Sequence, residues 1–143
     1  MNEIQKIMQI GKGTNPKELS SLALAYIGDA VFEMLVRTWI LSKGNAPVNK
    51  LHKKAKSIVN AKSQAQMYFS IQQEFTEEEA SVFRRGRNAK SFTVPKNADL
   101  MDYRHATGLE AVFGYLYLKE DMDRVLLLFQ KGIENMENKE NSF

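Results

Sequence analysis

Between Leu19 and Trp39 apolar residues recur every three or four positions, at Leu19, Leu22, Ala23, Ile27, Ala30, Val31, Met34, Leu35 and Thr38 or Trp39. That spacing predicts a helix with one wide buried face. Two residues interrupt the pattern in its middle, Gly28 and Asp29. A glycine inside a helix costs about 1 kcal/mol relative to alanine, so it usually stands where another backbone comes close. A carboxylate in an apolar stripe is costly to desolvate and is normally paired, hydrogen-bonded or bound to a cation. Glu33 follows Asp29 by one turn on the same face.

A chain of 143 residues suits one domain that buries roughly two thirds of its unfolded surface, with no second module expected. The absence of Cys rules out disulfides, thiolate metal sites and a cysteine nucleophile, and points to a reducing, cytoplasmic setting. The first residues, MNEIQKIMQIGKG, lack the apolar core of a signal peptide, and no apolar run reaches the length of a membrane span, so no membrane association is expected. The net charge is only +3, but the residues from Met34 to Ala98 carry twelve Lys or Arg against four Glu. A basic middle between acidic flanks fits a polyanion-binding face, and a solvated helix surface can show the same bias.

In chain order, residues 1–14 read as a loose leader or short helix, and Asn15-Pro16-Lys17-Glu18 as the start of a helix running to about Ser42 and stopping at Gly44. A second helix from Val48 buries Leu51, Ala55, Ile58 and Val59, and either continues or breaks near Asn60-Ala61 before Ala65, Tyr68, Phe69 and Ile71. Thr76 and Glu79 form a capping box opening a short helix to about Arg87. Residues 86–98, with Gly, Pro, two Asn and no acid, are expected to be an exposed basic loop. A helix from about Leu100 to Leu118 marks its buried side with Met101, Tyr103, Thr107, Glu110, Ala111, Gly114 and Leu118. A last helix spans about Met122 to Asn135, and residues 137–143 are expected to be a disordered tail. No strand pattern is present, so the expected fold is all-α, with one domain over 15–136.

The chain lacks a Gly-rich phosphate loop, a His pair at metal-binding spacing and a defensible Ser-His-Asp set. His52 sits among lysines and His105 precedes a buried stretch, and both read as solvated or phosphate-contacting. Carboxylates remain. Two helices each set an acid among small apolar residues: Asp29 after Gly28, and Glu110 between Gly108 and Gly114. If the helices cross at their glycines, the two acids face one another. Facing carboxylates repel unless a cation lies between them. Mg2+, an oxygen-seeking ion that keeps waters for substrate phosphates, satisfies that arrangement. Ion pairs with Arg104 or Arg37 satisfy it equally well.

The run Tyr-Ile-Gly-Asp-Ala-Val-Phe-Glu resembles the signature helix of the ribonuclease III catalytic domain, and Thr-Gly-Leu-Glu-Ala-Val-Phe-Gly resembles that family's second acidic helix. With Leu-His-Lys-Lys, Ala-Lys-Ser-Gln-Ala and Arg-Gly-Arg-Asn-Ala-Lys-Ser, and no space for a double-stranded-RNA-binding module, the likeness over about residues 19–120 is to the mini-ribonuclease III subgroup. The resemblance implies that Asp29 and Glu110 are the catalytic, metal-binding acids, with Glu33 a candidate further ligand. Other family acids are missing here, where Leu22, Ala25 and Thr107 stand instead.

What the resemblance implies is a homodimeric, Mg2+-dependent endoribonuclease that cuts double-stranded RNA. The subgroup is associated with trimming precursor 23S rRNA at the stem joining its ends, with the pre-ribosome or a ribosomal protein as candidate partner. An inert RNA-binding scaffold of the same fold is the alternative. Leu22, Tyr26 and Phe32 are expected at the dimer interface. Because A-form duplexes are gripped through phosphates and 2′-hydroxyls, the expected RNA contacts are Lys53, Lys54, Lys62, Arg84, Arg85, Arg87, Lys90 and Lys96.

Overall fold

The computed structural model describes residues 1–90 and 99–141, and its regular elements are all helical. A short helix α1 (Glu3–Met8) precedes a 3-10 turn (Pro16–Glu18) and the long α2 (Ser21–Ser42). Then come α3 (Val48–Ile58), α4 (Ala61–Ile71), a second 3-10 turn (Gln72–Glu74), α5 (Glu77–Asn88), α6 (Leu100–Leu118) and α7 (Met122–Asn141). No helix among the described residues is long and apolar enough to cross a membrane.

Local chemistry sets most boundaries. Asn15 and Pro16 do start a helical turn, with Asn15 accepting from the Lys17 amide at 3.0 Å, but it is a 3-10 turn that ends at Glu18. The long helix begins afresh at Ser20, whose hydroxyl caps Ala23. Asn60 resolves the ambiguity before α4: its side chain caps Ser63 at 2.9 Å, so the chain breaks there and re-enters a helix. The Thr76–Glu79 capping box forms as expected. α5 runs through Gly86, Arg87 and Asn88, so the start of the expected loop is helical and Gly86 is buried. Residues 91–98 of that loop lie outside the described residues. Likewise, α7 continues six residues past Asn135 to Asn141, where the sequence suggests a disordered tail.

The centre of the fold is α6. Every residue from Ala106 to Leu116 except Glu110 is buried, because α2, α4, α5 and α7 all pack around this helix. The sequence suggests a one-sided helix with Met101 inside; instead, α6 is enclosed all round over its middle, and Met101 lies exposed near its start. In α2 the buried face also differs from the expected stripe. Leu24, Ala25, Gly28, Val31, Phe32, Val36 and Ile40 face the core, whereas Leu22, Ala30, Met34 and Thr38 are exposed. Apolar residues on both sides of α2 make its periodicity ambiguous, so two stripes fit the same residues.

Where α2 meets α6, the backbones touch. A Cβ on Gly28 would collide with the Glu110 carbonyl oxygen and lie 2.9 Å from the Gly114 amide nitrogen, and a Cβ on Gly114 would collide with the Leu24 carbonyl oxygen. Phe32 fills the space beside this crossing, its ring 5.6 Å from Phe113 and 5.9 Å from Phe129. On the far side Glu79, buried, accepts two hydrogen bonds from Arg124, at 2.8 and 2.9 Å, joining α5 to α7.

Gly28→Ala is expected to lower stability by about 3 kcal/mol or more, because the clash is with backbone that cannot rotate away. Gly11→Ala, whose Cβ would meet only the Thr14 hydroxyl at 3.6 Å, is expected to be nearly neutral. Urea denaturation of both variants checks the difference.

Candidate active site

The glycine crossing decides where the acids go. Asp29 follows Gly28 on α2, and Glu110 is the residue whose carbonyl faces Gly28 on α6. Their side chains come within hydrogen-bonding reach of each other, Asp29 at the surface and Glu110 half-buried. Neither forms an ion pair among the described residues. The arginine pairings considered from sequence do not form: Arg37 binds Glu33 at 3.0 Å, and Arg104 is exposed.

Burial first, and the adjoining Asp29 after it, push the Glu110 carboxyl up from an ordinary 4.5 to about 9. The Gln64 side chain, arriving from α4, acts in the opposite direction, and the charge of Glu33 adds to the upward push. Two carboxyl groups so placed have strong reason to take up a cation. Among the described residues no set of three or more acidic or histidine side chains gathers as a metal cage. Two carboxylates with open coordination positions nevertheless fit Mg2+, which typically takes one or two protein carboxylates and fills the remainder with water and phosphate oxygens.

The other residues singled out in the sequence fall into distinct places. Glu33 is engaged by Arg37 and does not complete a third side of the pair. Thr107 donates its hydroxyl to the Tyr103 carbonyl at 2.9 Å and is satisfied within its own helix. Ala25 is buried in the core. Leu22 and Tyr26 are exposed, Tyr26 at 81%, on the outward side of α2. The expectation that Phe32 lies at an interface is corrected: it is 0% exposed and packed in the core of this chain, not on its surface. Met34 and Leu41, assigned no outward role from the sequence, continue that outward apolar side. A surface groove of about 680 Å3 runs beside it, with Asp29 in its wall together with Tyr26, Ala30, Met34 and Arg37.

Of the basic residues, Lys53, Lys54 and Lys62 are exposed on α3 and α4, and Arg84, Arg85 and Lys90 are exposed on or just after α5. Arg87 is half-buried, its guanidinium 5.8 Å from the centre of the Phe83 ring. Lys96 lies outside the described residues. His52 is exposed, whereas His105 packs against Phe69, Tyr68 and Phe83, with Nδ1 2.6 Å from the Met101 carbonyl oxygen. Sequence reasoning missed Gln64. The available signal was a polar residue beside Ala61, Ala65, Tyr68 and Ile71 on an apolar helical stripe, the same kind of signal that singles out Asp29.

The raised Glu110 value has a sign that can be tested. Between pH 4.5 and about 9 the folded chain keeps a proton that the unfolded chain has released. Stability from this group is therefore fully present below pH 4.5 and is lost as pH rises to about 9. Without divalent cation, urea denaturation across that window is expected to show this fall in the wild type. In Glu110→Gln the component is absent, and the variant is more stable than the wild type at the alkaline end.

Residues 22–121 match the ribonuclease III domain. The chain is 48% identical over 127 residues to the Mini-ribonuclease 3 of Clostridium tetani, covering 83% of this chain and 84% of that protein. It is 48% identical over 119 residues to the Mini-ribonuclease 3 of Staphylococcus aureus, covering 82% and 89%. A crystal structure of a Fusobacterium nucleatum protein superposes with a TM-score of 0.77 at 31% identity, over 85% of this chain and 99% of that one. The matched segment contains both acidic helices and the glycines that join them, and on that ground the chain belongs to the ribonuclease III family and is a ribonuclease.

Proposed function

We propose that this chain is a Mg2+-dependent endoribonuclease that acts as a homodimer on double-stranded RNA, with the terminal stem of precursor 23S rRNA as its substrate. The observation that carries the reading is the meeting of Asp29 and Glu110 at the glycine crossing, neither of them in an ion pair among the described residues. In that arrangement Asp29 and Glu110 are the residues that would hold the ion. A divalent ion held there would supply Lewis-acid stabilisation of the phosphate and an activated water, the chemistry that phosphodiester hydrolysis requires. Glu33, held by Arg37, keeps a negative charge near the pair without joining it.

The remaining surface suits a duplex. A-form RNA presents phosphates and 2′-hydroxyls across a shallow minor groove, so spread cations serve better than base-reading side chains. The lysines of α3 and α4 and the arginines of α5 supply cations on separate elements. A second copy is the occupant we assign to the outward apolar side of α2, where Leu22, Tyr26, Met34 and Leu41 are 38 to 81% exposed. A self-complementary interface of this kind supplies two acidic pairs related by a two-fold axis, one for each strand. The Clostridium tetani and Staphylococcus aureus relatives carry the name Mini-ribonuclease 3, which supports the ribonuclease part of this reading. The scaffold alternative draws on the small number of converging acids.

The deciding experiment uses a labelled duplex made from a precursor 23S end stem. Cleavage is expected with Mg2+ and not with chelator. Asp29→Asn is expected to lose several kcal/mol of transition-state stabilisation, or about 10³-fold in rate, while remaining folded and dimeric. Duplex binding by the wild type without cleavage under any divalent ion would establish the scaffold instead. Binding should also fall steeply with salt, and the double variant Lys54→Gln, Arg84→Gln is expected to flatten the log–log salt slope by about two. Filter-binding titrations at several salt concentrations measure that slope.

A further inference from the structure

Three polar side chains are buried in the described structure: Glu79, Thr107 and Gln64. Glu79 is held by Arg124 and Thr76, and Thr107 by its own helix. Gln64 differs. It is 5% exposed, and among the described residues its Nε2 is the one buried side-chain nitrogen or oxygen without a hydrogen-bond partner of good geometry. A buried amide left unsatisfied is destabilising, and an apolar side chain of the same shape would serve packing better. Gln64 is, however, next to Glu110, close enough to influence its carboxyl group. It reaches the acidic pair from a third helix, α4, which packs on α6.

A carboxylate that gives one oxygen to a cation has a second oxygen to place, and its terminal torsion is soft. Asp29, when ionised, has no proton to donate to that second oxygen. Gln64 carries two N–H groups. Taking the metal-site reading above as its basis, we propose that Gln64 is a positioning residue for Glu110: its Nε2 donates to the Glu110 oxygen turned away from the cation and so holds the other oxygen facing Asp29. The Gln64 amide, without a partner of good geometry among the described residues, would have a defined acceptor in the loaded site. Partners that orient metal ligands in this way typically affect metal affinity ten- to a hundredfold.

The test is Gln64→Met, which keeps length and burial but removes the donor, in the full-length chain. Mn2+ is the probe, its free concentration read by electron paramagnetic resonance, with Asp29→Asn as reference. The wild type should bind Mn2+ and Asp29→Asn should not. Gln64→Met should bind about ten- to a hundredfold more weakly, with a metal-free melting temperature equal to or above that of the wild type. Its RNA cleavage should recover at high metal concentration with KM for the duplex unchanged. Wild-type Mn2+ affinity in Gln64→Met would overturn the proposal. So would a fall in metal-free melting temperature that accompanies the lost affinity, since Gln64 would then only support α4. No Mn2+ binding by the wild type would instead overturn the metal-site reading on which this one stands.

Discussion

The structure depends on the direct approach of two helix backbones. At Gly28 and Gly114 no side chain separates α2 from α6, and the Glu110 and Leu24 carbonyls occupy the space that two Cβ atoms would need. An approach this close places the residues flanking the glycines within side-chain reach across the interface. Asp29 follows Gly28 directly, and Glu110 is the residue whose carbonyl faces that glycine. The packing contact and the acidic pair are therefore one feature: any side chain that pushed the helices apart would also separate the carboxyl groups.

That feature has an electrostatic consequence. Two carboxyl groups in contact, one of them half-buried, favour the loss of one negative charge, and Glu110 responds by holding its proton to about pH 9. A proton and a divalent cation are alternative ways to relieve the same repulsion. The pair is thus poorly suited to stabilising the fold and well suited to binding an ion, in keeping with the tendency of strongly shifted groups to mark functional sites. The contrast with Glu79 is instructive. That acid is more deeply buried, yet two hydrogen bonds from Arg124 satisfy it, and it serves as a structural tie.

Around this centre the surface divides by chemistry. The outward side of α2 is apolar and borders Asp29, while the cations sit on α3, α4 and α5. The dimer and RNA surfaces proposed above therefore occupy different residues. Phe32 shows how helix geometry separates such roles: three residues after Asp29 on the same helix, it is rotated into the core against Phe113 and Phe129. The sequence assignment of Phe32 to the interface fails because an apolar residue on a two-sided helix carries no label for which side it faces.

The sequence by itself determined the all-helical class, the Thr76–Glu79 capping box that opens α5, the family, and the two acids with the glycines that would join them. These rest on local rules, short motifs and spacing, which are written in the order of residues. Four things were decided only by tertiary structure. One is that α6 rather than α2 lies at the centre, since enclosure depends on how many neighbours pack around a helix. Another is which of the two apolar stripes of α2 faces inward. A third is the pairing of Glu33 with Arg37, which withdraws it from the acidic pair. The last is the arrival of Gln64 beside Glu110 from a helix some forty-six positions earlier in the chain. Except for the Glu33–Arg37 pair, one turn apart on α2, each depends on contacts between residues distant in sequence, and the spacing of residues along the chain holds no record of them.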